Sequence, residues 1–179
     1  MAICNLTKNL LKTNSCNYQL NEINDLYIVN YNDVTEANVD YDCESGVTVS
    51  ALTIATGASV YHIEVAKNSA SFSDELVVND NGGKYRTHTI TFGLSGSYDK
   101  DMVCPVDALS LGRFFVVIKT ATGQYLVLGR TTGMEASEGS VAGGGDNNGI
   151  TVTLSANVAE SAVPLSEAAV TTLLGKVAS

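Results

Sequence analysis

The feature that most constrains the fold is residues 113–154, where apolar β-rich runs alternate with turn-rich segments. The runs RFFVVIK and YLVLGR carry β-branched or aromatic residues at most positions, and Thr122 and Gly123 lie between them. This pattern predicts a hairpin, because such residues favour extended backbone and glycine permits a tight reversal. A glycine-rich loop, TTGMEASEGSVAGGGDNNG, and a further strand, ITVTL, are expected to follow. The stretch predicts a sheet and carries no enzyme motif.

A second hairpin is predicted from residues 71–79 and 84–94, which flank the sequence DNGG. Asn81 and Gly82 predict a type I′ turn, because both central positions of that turn need a residue that tolerates positive φ. In the return strand, His88, Ile90 and Phe92 alternate with threonines, as a half-buried strand requires.

The other segments are less regular. Strands are predicted over residues 25–31, 47–54 and 59–66. The best helix candidate is residues 99–111, with Asp99 as N-cap, Pro105 in the first turn and Gly112 as the stop. Residues 32–46 are acidic and predict a long loop, and residues 166–177 predict a helical or extended tail.

These elements predict one domain over residues 1–179, with an N-terminal arm (1–22) and a C-terminal tail (155–179). Seven or eight strands and one helix indicate a mainly β fold of the β-rich α+β class. We expect a β-sandwich or half-barrel with one flanking helix.

Composition favours a protein whose neighbours cover part of its surface. Only 16% of the chain is charged, against roughly 25% in an ordinary soluble domain. The alternative is a monomer kept soluble by its net charge of −9. The 10 Lys and Arg residues are scattered, so a grip on nucleic acid is not expected.

No cofactor or metal site is predicted. Cys4, Cys16, Cys43 and Cys104 show no metal-ligand spacing. The loop at 139–149 lacks the Lys-Ser/Thr of a phosphate-binding loop, and its Asp146 lacks the companions of a calcium loop. No signal peptide or membrane span is recognised, which indicates cytoplasmic synthesis with reduced thiols.

Catalytic alternatives rest on few residues. His62 and His88 each lie in a predicted strand without an adjacent nucleophile motif, so ordinary sheet positions are favoured. The carboxylates of residues 33–44 could provide paired acids for glycoside chemistry, but a solvated acidic loop explains them more simply. The eight tyrosines lack interleaved basic residues, which favours packing over nucleic-acid stacking.

Several segments together resemble a group of small virion proteins of tailed phages from Bacteroidetes-type hosts, with a tail-tube-like fold. The resemblance rests on MAICNLTK with a second cysteine at Cys16, LYIVNYNDV, and FSDELVVNDNGGKYRTHTITF. It continues through FFVVIKTATGQYLVLGRTTGMEAS and GGGDNNGITVTL, so it covers more than half of the chain.

The resemblance implies a non-enzymatic virion structural protein of the phage tail. Its subunits would form stacked hexameric rings, a tail tube through which genomic DNA passes without specific binding. Other tail or connector proteins would be its partners, and no membrane is involved. Ring closure would pair strand edges that a monomer leaves exposed.

The expected assembly interface comprises the two hairpins, the arm before Asp25 and the glycine-rich loop. Its candidate residues are Phe72, Asn81, Gly82, Tyr85, Gly143, Gly144 and Asp146. Another virion role, as a head-tail connector or head decoration protein, is one alternative. A carbohydrate-binding or hydrolytic β-sandwich is another, which convergent tyrosines around paired carboxylates would favour.

Overall fold

The computed structural model describes residues 22–42, 46–65, 68–94, 98–142 and 149–178. These residues form a mainly β structure with two α-helices, which confirms the predicted β-rich α+β class. The strands are β1 (Ile23–Asn30), β2 (Val34–Asp42), β3 (Gly46–Ile54), β4 (Tyr61–Glu64), β5 (Ala70–Val78), β6 (Lys84–Leu94), β7 (Arg113–Thr120), β8 (Tyr125–Leu128), β9 (Met134–Ala142), β10 (Gly149–Val158) and β11 (Val163–Pro164). The helices are α1 (Lys100–Leu111) and α2 (Glu167–Leu174).

Strand β7 is the centre of the larger sheet. One of its edges pairs with β1 over most of its length, and β4 pairs with the far side of β1. The other edge is shared, because β8 pairs with Val116–Lys119 and β9 pairs with Arg113 and Phe114. From β9 the sheet continues through β10 and β6 to β5, and from β8 it continues to β11.

The apolar run of β7 is continuous because both of its faces are covered. Phe114, Val116 and Ile118 face a first core, which β1, β6, β10 and α1 complete. Phe115 and Val117 face a second core, which β3 and α2 complete. A strand with a packed layer on each side gains burial at every position, so alternation is lost. The result is a sandwich-like arrangement of layers.

Helix α1 forms where the sequence predicts it. The Asp99 side chain accepts a hydrogen bond from the Asp101 N–H at 2.9 Å, and Gly112 ends the helix. Val106 and Leu109 bury its inner face in the first core, so it is the expected flanking helix. Pro105 lies beyond the first turn, contrary to expectation, and therefore leaves the Asp101 carbonyl without its usual helical donor.

The C-terminal part contains a second helix. The Ser166 hydroxyl accepts from the Ala169 N–H at 3.3 Å and caps α2. Ala169 and Leu173 are buried in the second core. The predicted tail boundary at residue 155 falls inside β10, which runs on to Val158. These residues form part of the core because their apolar side chains meet β3 and β7.

Two predicted loops are strands. The acidic segment contains a 3-10 helix (Tyr31–Asp33) and then β2, which pairs with β3 as a separate two-stranded sheet. The first half of the predicted glycine-rich loop is β9, which pairs with β10. Both strands are largely polar and exposed. In β2, Ala37, Val39 and Tyr41 nevertheless alternate with polar residues, which is a strand pattern that the acidic composition of the segment obscured.

Candidate functional site

The β5–β6 hairpin continues past the core that covers its base. On one face, Ala70 and Phe72 of β5 lie opposite Phe92 and Ile90 of β6, and both β6 residues are fully buried. Further along the same face, Leu76 and Val78 lie opposite Arg86 and Lys84. Leu76 is 56% exposed and Val78 is 55% exposed. The core-facing surface of the hairpin therefore extends into solvent as an uncovered apolar tip.

The turn at this tip differs from the predicted type I′ turn. The Gly82 N–H donates to the Asn79 carbonyl at 2.8 Å, and the Asn79 N–H donates to the Gly83 carbonyl at 2.8 Å. Gly82 has φ of 77°, whereas Asn81 keeps a negative φ. This is a three-residue turn with a glycine bulge, in which only one position needs positive φ.

The predicted interface residues take different places in this hairpin. Asn81 and Gly82 are exposed in the turn, and Tyr85 is half-buried on the face opposite Leu76. Phe72 packs against the first core at the base, away from the tip. Leu76 and Val78 were not among the predicted interface residues, although they continue the alternation of Ala70 and Phe72. Gly143, Gly144 and Asp146 lie outside the described residues.

The outer edge of β5 is open. Within the described part of the chain, β5 has β6 as its only strand partner. The backbone groups on its far edge therefore point away from the sheet, where they can pair with another strand. A long edge with apolar side chains at its end is the usual template for association between chains.

The base of the tip is anchored by a polar cluster around Asp74. The Arg86 Nε donates to Asp74 Oδ1 at 2.6 Å, and the Ala162 N–H donates to Asp74 Oδ2 at 3.0 Å. Burial disfavours the charged carboxylate, but these hydrogen bonds outweigh it and lower the pKa of Asp74. The anchor joins β5 and β6 to the loop before β11.

His88 lies beneath this carboxylate and is 1% exposed. Its Nδ1 accepts a hydrogen bond from the Gly129 N–H at 3.2 Å, so the neutral ring carries its proton on Nε2. Nε2 is 3.4 Å from Asp74 Oδ1 and has no hydrogen-bond partner among the described residues. Burial lowers the pKa of His88 despite the opposing effect of Asp74. The imidazole is thus buried between the Asp74 carboxylate and the Gly129 N–H.

A second buried cluster holds the β2–β3 hairpin. Arg130 forms a two-pronged ion pair with Glu160, in which Nε donates to Oε1 at 2.7 Å and Nη2 to Oε2. Arg130 Nη1 also donates to the Ala37 carbonyl at 2.6 Å, and the Tyr41 hydroxyl donates to Glu160 Oε2 at 3.2 Å. The hydrogen bonds to Glu160 raise the pKa of Arg130, so its charge is fixed.

The two clusters share their supports. Gly129 and Arg130 are consecutive residues after β8, and Glu160 and Ala162 lie together before β11. Gly129 contacts the β5–β6 hairpin and Arg130 contacts the β2–β3 hairpin. In the second pair the order is reversed, since Glu160 contacts the β2–β3 hairpin and Ala162 contacts the β5–β6 hairpin. Two short loops thus fix both projecting hairpins to the same part of the sheet.

A third cluster lies on β1, β4 and β7, on the face that carries the second core. Asp25 accepts from His62 Nε2 at 2.9 Å and from Lys119 Nζ at 3.1 Å. Burial opposes ionisation, but these two hydrogen bonds prevail and lower the pKa of Asp25. Tyr27 stacks on His62 with 4.9 Å between ring centroids, and Tyr125 lies 6.0 Å from Tyr27.

This third cluster bears on the glycoside hypothesis. Glu64 lies directly opposite Asp25 in the β1–β4 register, so two carboxylates share one face with two tyrosines. The sequence suggested such a pair among the acids of residues 33–44, of which Glu44 lies outside the described residues. Those that the structure describes lie on or beside β2, where Glu36 bonds Thr53 and Asn38, and Asp33 bonds Asn30.

Metal and membrane features are absent from the described residues. No group of three or more His, Cys, Asp or Glu side chains there could hold a metal ion. None of the described helices is long and apolar enough to cross a bilayer. Cys104 is a free, exposed thiol on α1, while the other three cysteines lie outside the described residues.

Comparison with known proteins gives no relative. No protein-family model, curated protein or solved structure matches this chain. The functional argument therefore rests on the residues and contacts described above.

Proposed function

We propose that the protein is a self-assembling structural subunit of a phage tail tube, localised in the virion and without enzymatic activity. The observation that carries the proposal is the β5–β6 hairpin, whose open edge and apolar tip extend beyond the core. The resemblance of the sequence to small virion proteins of tailed phages supports self-assembly as the function.

In this proposal, copies of the chain join through the open edge of β5 into closed, hexameric rings. Pairing that edge with a neighbour satisfies its backbone groups and removes an aggregation hazard. The rings stack into a conduit, and other tail or connector proteins cap its ends. A monomer would gain nothing from an exposed edge that ends in Leu76 and Val78.

The charge of the chain supports a conduit. With a net charge of −9, the subunit repels the DNA backbone, so DNA passing through the tube would not adhere to its wall. A protein that gripped DNA would need clustered basic residues instead.

The test is electron microscopy of the purified full-length chain at high concentration, where rings or tubes of constant diameter are expected. Gly82→Val should reduce assembly, because valine at positive φ distorts the tip. Gly123→Val is the matched control. Gly123 has φ of 86° in the equivalent turn between β7 and β8, with the same pair of hydrogen bonds.

Four results are informative. Loss of assembly in Gly82→Val but not in Gly123→Val supports the hairpin as the joint. Equal effects of the two variants would contradict that role. A wild-type chain that stays monomeric at every concentration contradicts the whole proposal. Single rings that never stack would instead favour a connector or head decoration role.

A carbohydrate-binding or hydrolytic function is the second candidate. The facing carboxylates of Asp25 and Glu64 beside Tyr27 and Tyr125 are the observation in its favour. Its test is glycan binding and hydrolysis by the wild type and by Asp25→Asn and Glu64→Gln. Saturable sugar binding that both variants lose would favour this function over assembly.

A further inference from the structure

A groove runs between helix α1 and strands β9 and β10 on the side of the molecule away from the hairpin tip. It has a volume of about 440 Å³ and is lined on the helix side by Val106, Asp107 and Ser110. Glu138 and Val141 line its other wall. The groove thus has a mixed polar and apolar lining, with a carboxylate on each side.

Beside the groove, the C-terminal end of α1 has an apolar surface. Leu111 is 89% exposed, and with Ala108 and Phe114 it lines a shallow depression of about 360 Å³. Asp107 lines both this depression and the groove, so the two concavities adjoin across a single carboxylate. Val103 is a further exposed apolar residue of the same helix.

The tip of the β5–β6 hairpin carries side chains that complement the groove and the depression. Its uncovered face carries Leu76 and Val78, with Lys84 beside Val78 and with Arg86, which is paired with Asp74, beside Leu76. The apolar side chains of the tip match the apolar depression beside the groove, and Lys84 is the cation that can meet the carboxylates of Asp107 and Glu138.

The two surfaces cannot meet within one molecule. Strand β10 lies along β6 with Ile150 opposite Leu94 and Val158 opposite Arg86. Ile150 lines the groove, whereas Arg86 lies at the tip. Eight residues of extended strand separate them, or about 26 Å at about 3.3 Å per residue. A contact between these surfaces must therefore join two copies, arranged head to tail along the strand direction.

We propose that the β5–β6 tip of one copy docks into the α1 groove of a second copy and forms the axial contact between successive rings. This inference rests on the proposed function, of which it specifies one interface. A contact between two different surfaces of the same chain can be repeated from copy to copy. It produces an open filament, unless the rotation between copies closes the series into a ring. It therefore suits stacking along an axis, while the β5 edge serves the contact within a ring.

The first test is charge reversal, measured by sedimentation and electron microscopy of the full-length chain. Lys84→Glu and Asp107→Lys should each raise the protein concentration needed for stacking by about tenfold. The double variant should restore stacking, since the pair is re-formed with opposite signs. Lys100→Glu is the matched control, because it makes the same charge change at an exposed position of α1 outside the groove.

The second test is chemical cross-linking at the same interface. In a chain with Cys4, Cys16 and Cys43 replaced by serine, Val78→Cys should cross-link to Cys104 of the next copy through a short bis-maleimide. Cys104 is exposed one turn before Asp107 and Ala108 on α1. The same chain with Cys104→Ser should give no ladder of cross-linked copies.

The outcomes separate this inference from the proposed function. If the wild type forms tubes that Lys84→Glu and Asp107→Lys leave unchanged, the docking is wrong and the tube function stands. If Lys100→Glu weakens stacking as much as Lys84→Glu does, general repulsion explains the effect and the docking is again wrong. If the wild type forms neither rings nor tubes, both fail.

Discussion

The imidazole of His88 and the carboxylate of Asp74 lie 3.4 Å apart, at the point where the β5–β6 hairpin leaves the core. Asp74 also holds Arg86 and the Ala162 N–H, while His88 holds the Gly129 N–H. A neutral ring and a fixed carboxylate thus fasten the base of the hairpin whose tip is uncovered. Rigidity at the base lets the tip be presented in one orientation.

Asp74→Asn should destabilise the fold by about 1–3 kcal/mol, because Arg86 loses its charged acceptor in a largely buried place. Urea unfolding followed by circular dichroism measures the free energy of unfolding. Glu75→Gln is the matched control on the opposite, exposed face of β5, where a change within about 0.5 kcal/mol is expected. Equal losses of unfolding free energy in both variants would show that the Asp74 cluster makes no specific contribution to stability.

Stability should fall as the pH is lowered below about 6.5, the ordinary pKa of histidine. Burial keeps the pKa of His88 lower in the folded chain, although Asp74 and Glu160 raise it and Arg86 lowers it further. The unfolded chain then binds more protons than the folded chain, so the free energy of unfolding decreases with falling pH. Protonation also removes the acceptor for the Gly129 N–H.

This pH dependence is checked by urea midpoints at about pH 7.5 and about pH 5.5. His88→Gln should flatten the difference between the two midpoints. His62→Gln is the control for the loss of a histidine elsewhere in the chain, because it leaves the contacts of His88 intact. If the pH dependence of the wild type persists in His88→Gln, another titratable group is responsible for it.

Arg130→Lys should loosen the β2–β3 hairpin, since a lysine cannot bond both oxygens of Glu160 and the Ala37 carbonyl at once. Hydrogen exchange of amides in β2 and β3 should become faster, while amides of β6 and β10 keep their protection. Arg113→Lys is the control, because its ion pair with Glu135 is exposed and long at 3.6 Å. Faster exchange throughout the chain would indicate general destabilisation instead.

Leu173→Ala should cost about 2–5 kcal/mol, because Leu173 is 0% exposed in the second core. Leu174→Ala changes the adjacent residue, which is 41% exposed, and should cost far less. Thermal or urea unfolding of both variants tests whether α2 is part of the folding unit. Similar small losses in both variants would show that α2 is a peripheral tail and not part of the folding unit.

Local sequence information predicted the elements that are specified by residues close together in the chain. The hairpins at Gly82 and Gly123 follow from β-rich runs around a glycine, and α1 follows from the Asp99 cap and the Gly112 stop. The type I′ turn was wrong because the choice between two-residue and three-residue turns depends on strand register. Asn81 and Gly82 alone do not fix that register.

The sequence by itself determined the β-rich class, the two glycine turns and the capped helix, because each depends on neighbours within a few residues. The tertiary structure alone decided that polar β2 and β9 are strands, since their partners β3 and β10 supply the hydrogen bonds. It also decided the charge clusters, in which Arg130 reaches Ala37 across 93 positions of sequence. Such contacts depend on how distant segments pack, and no local pattern specifies that packing.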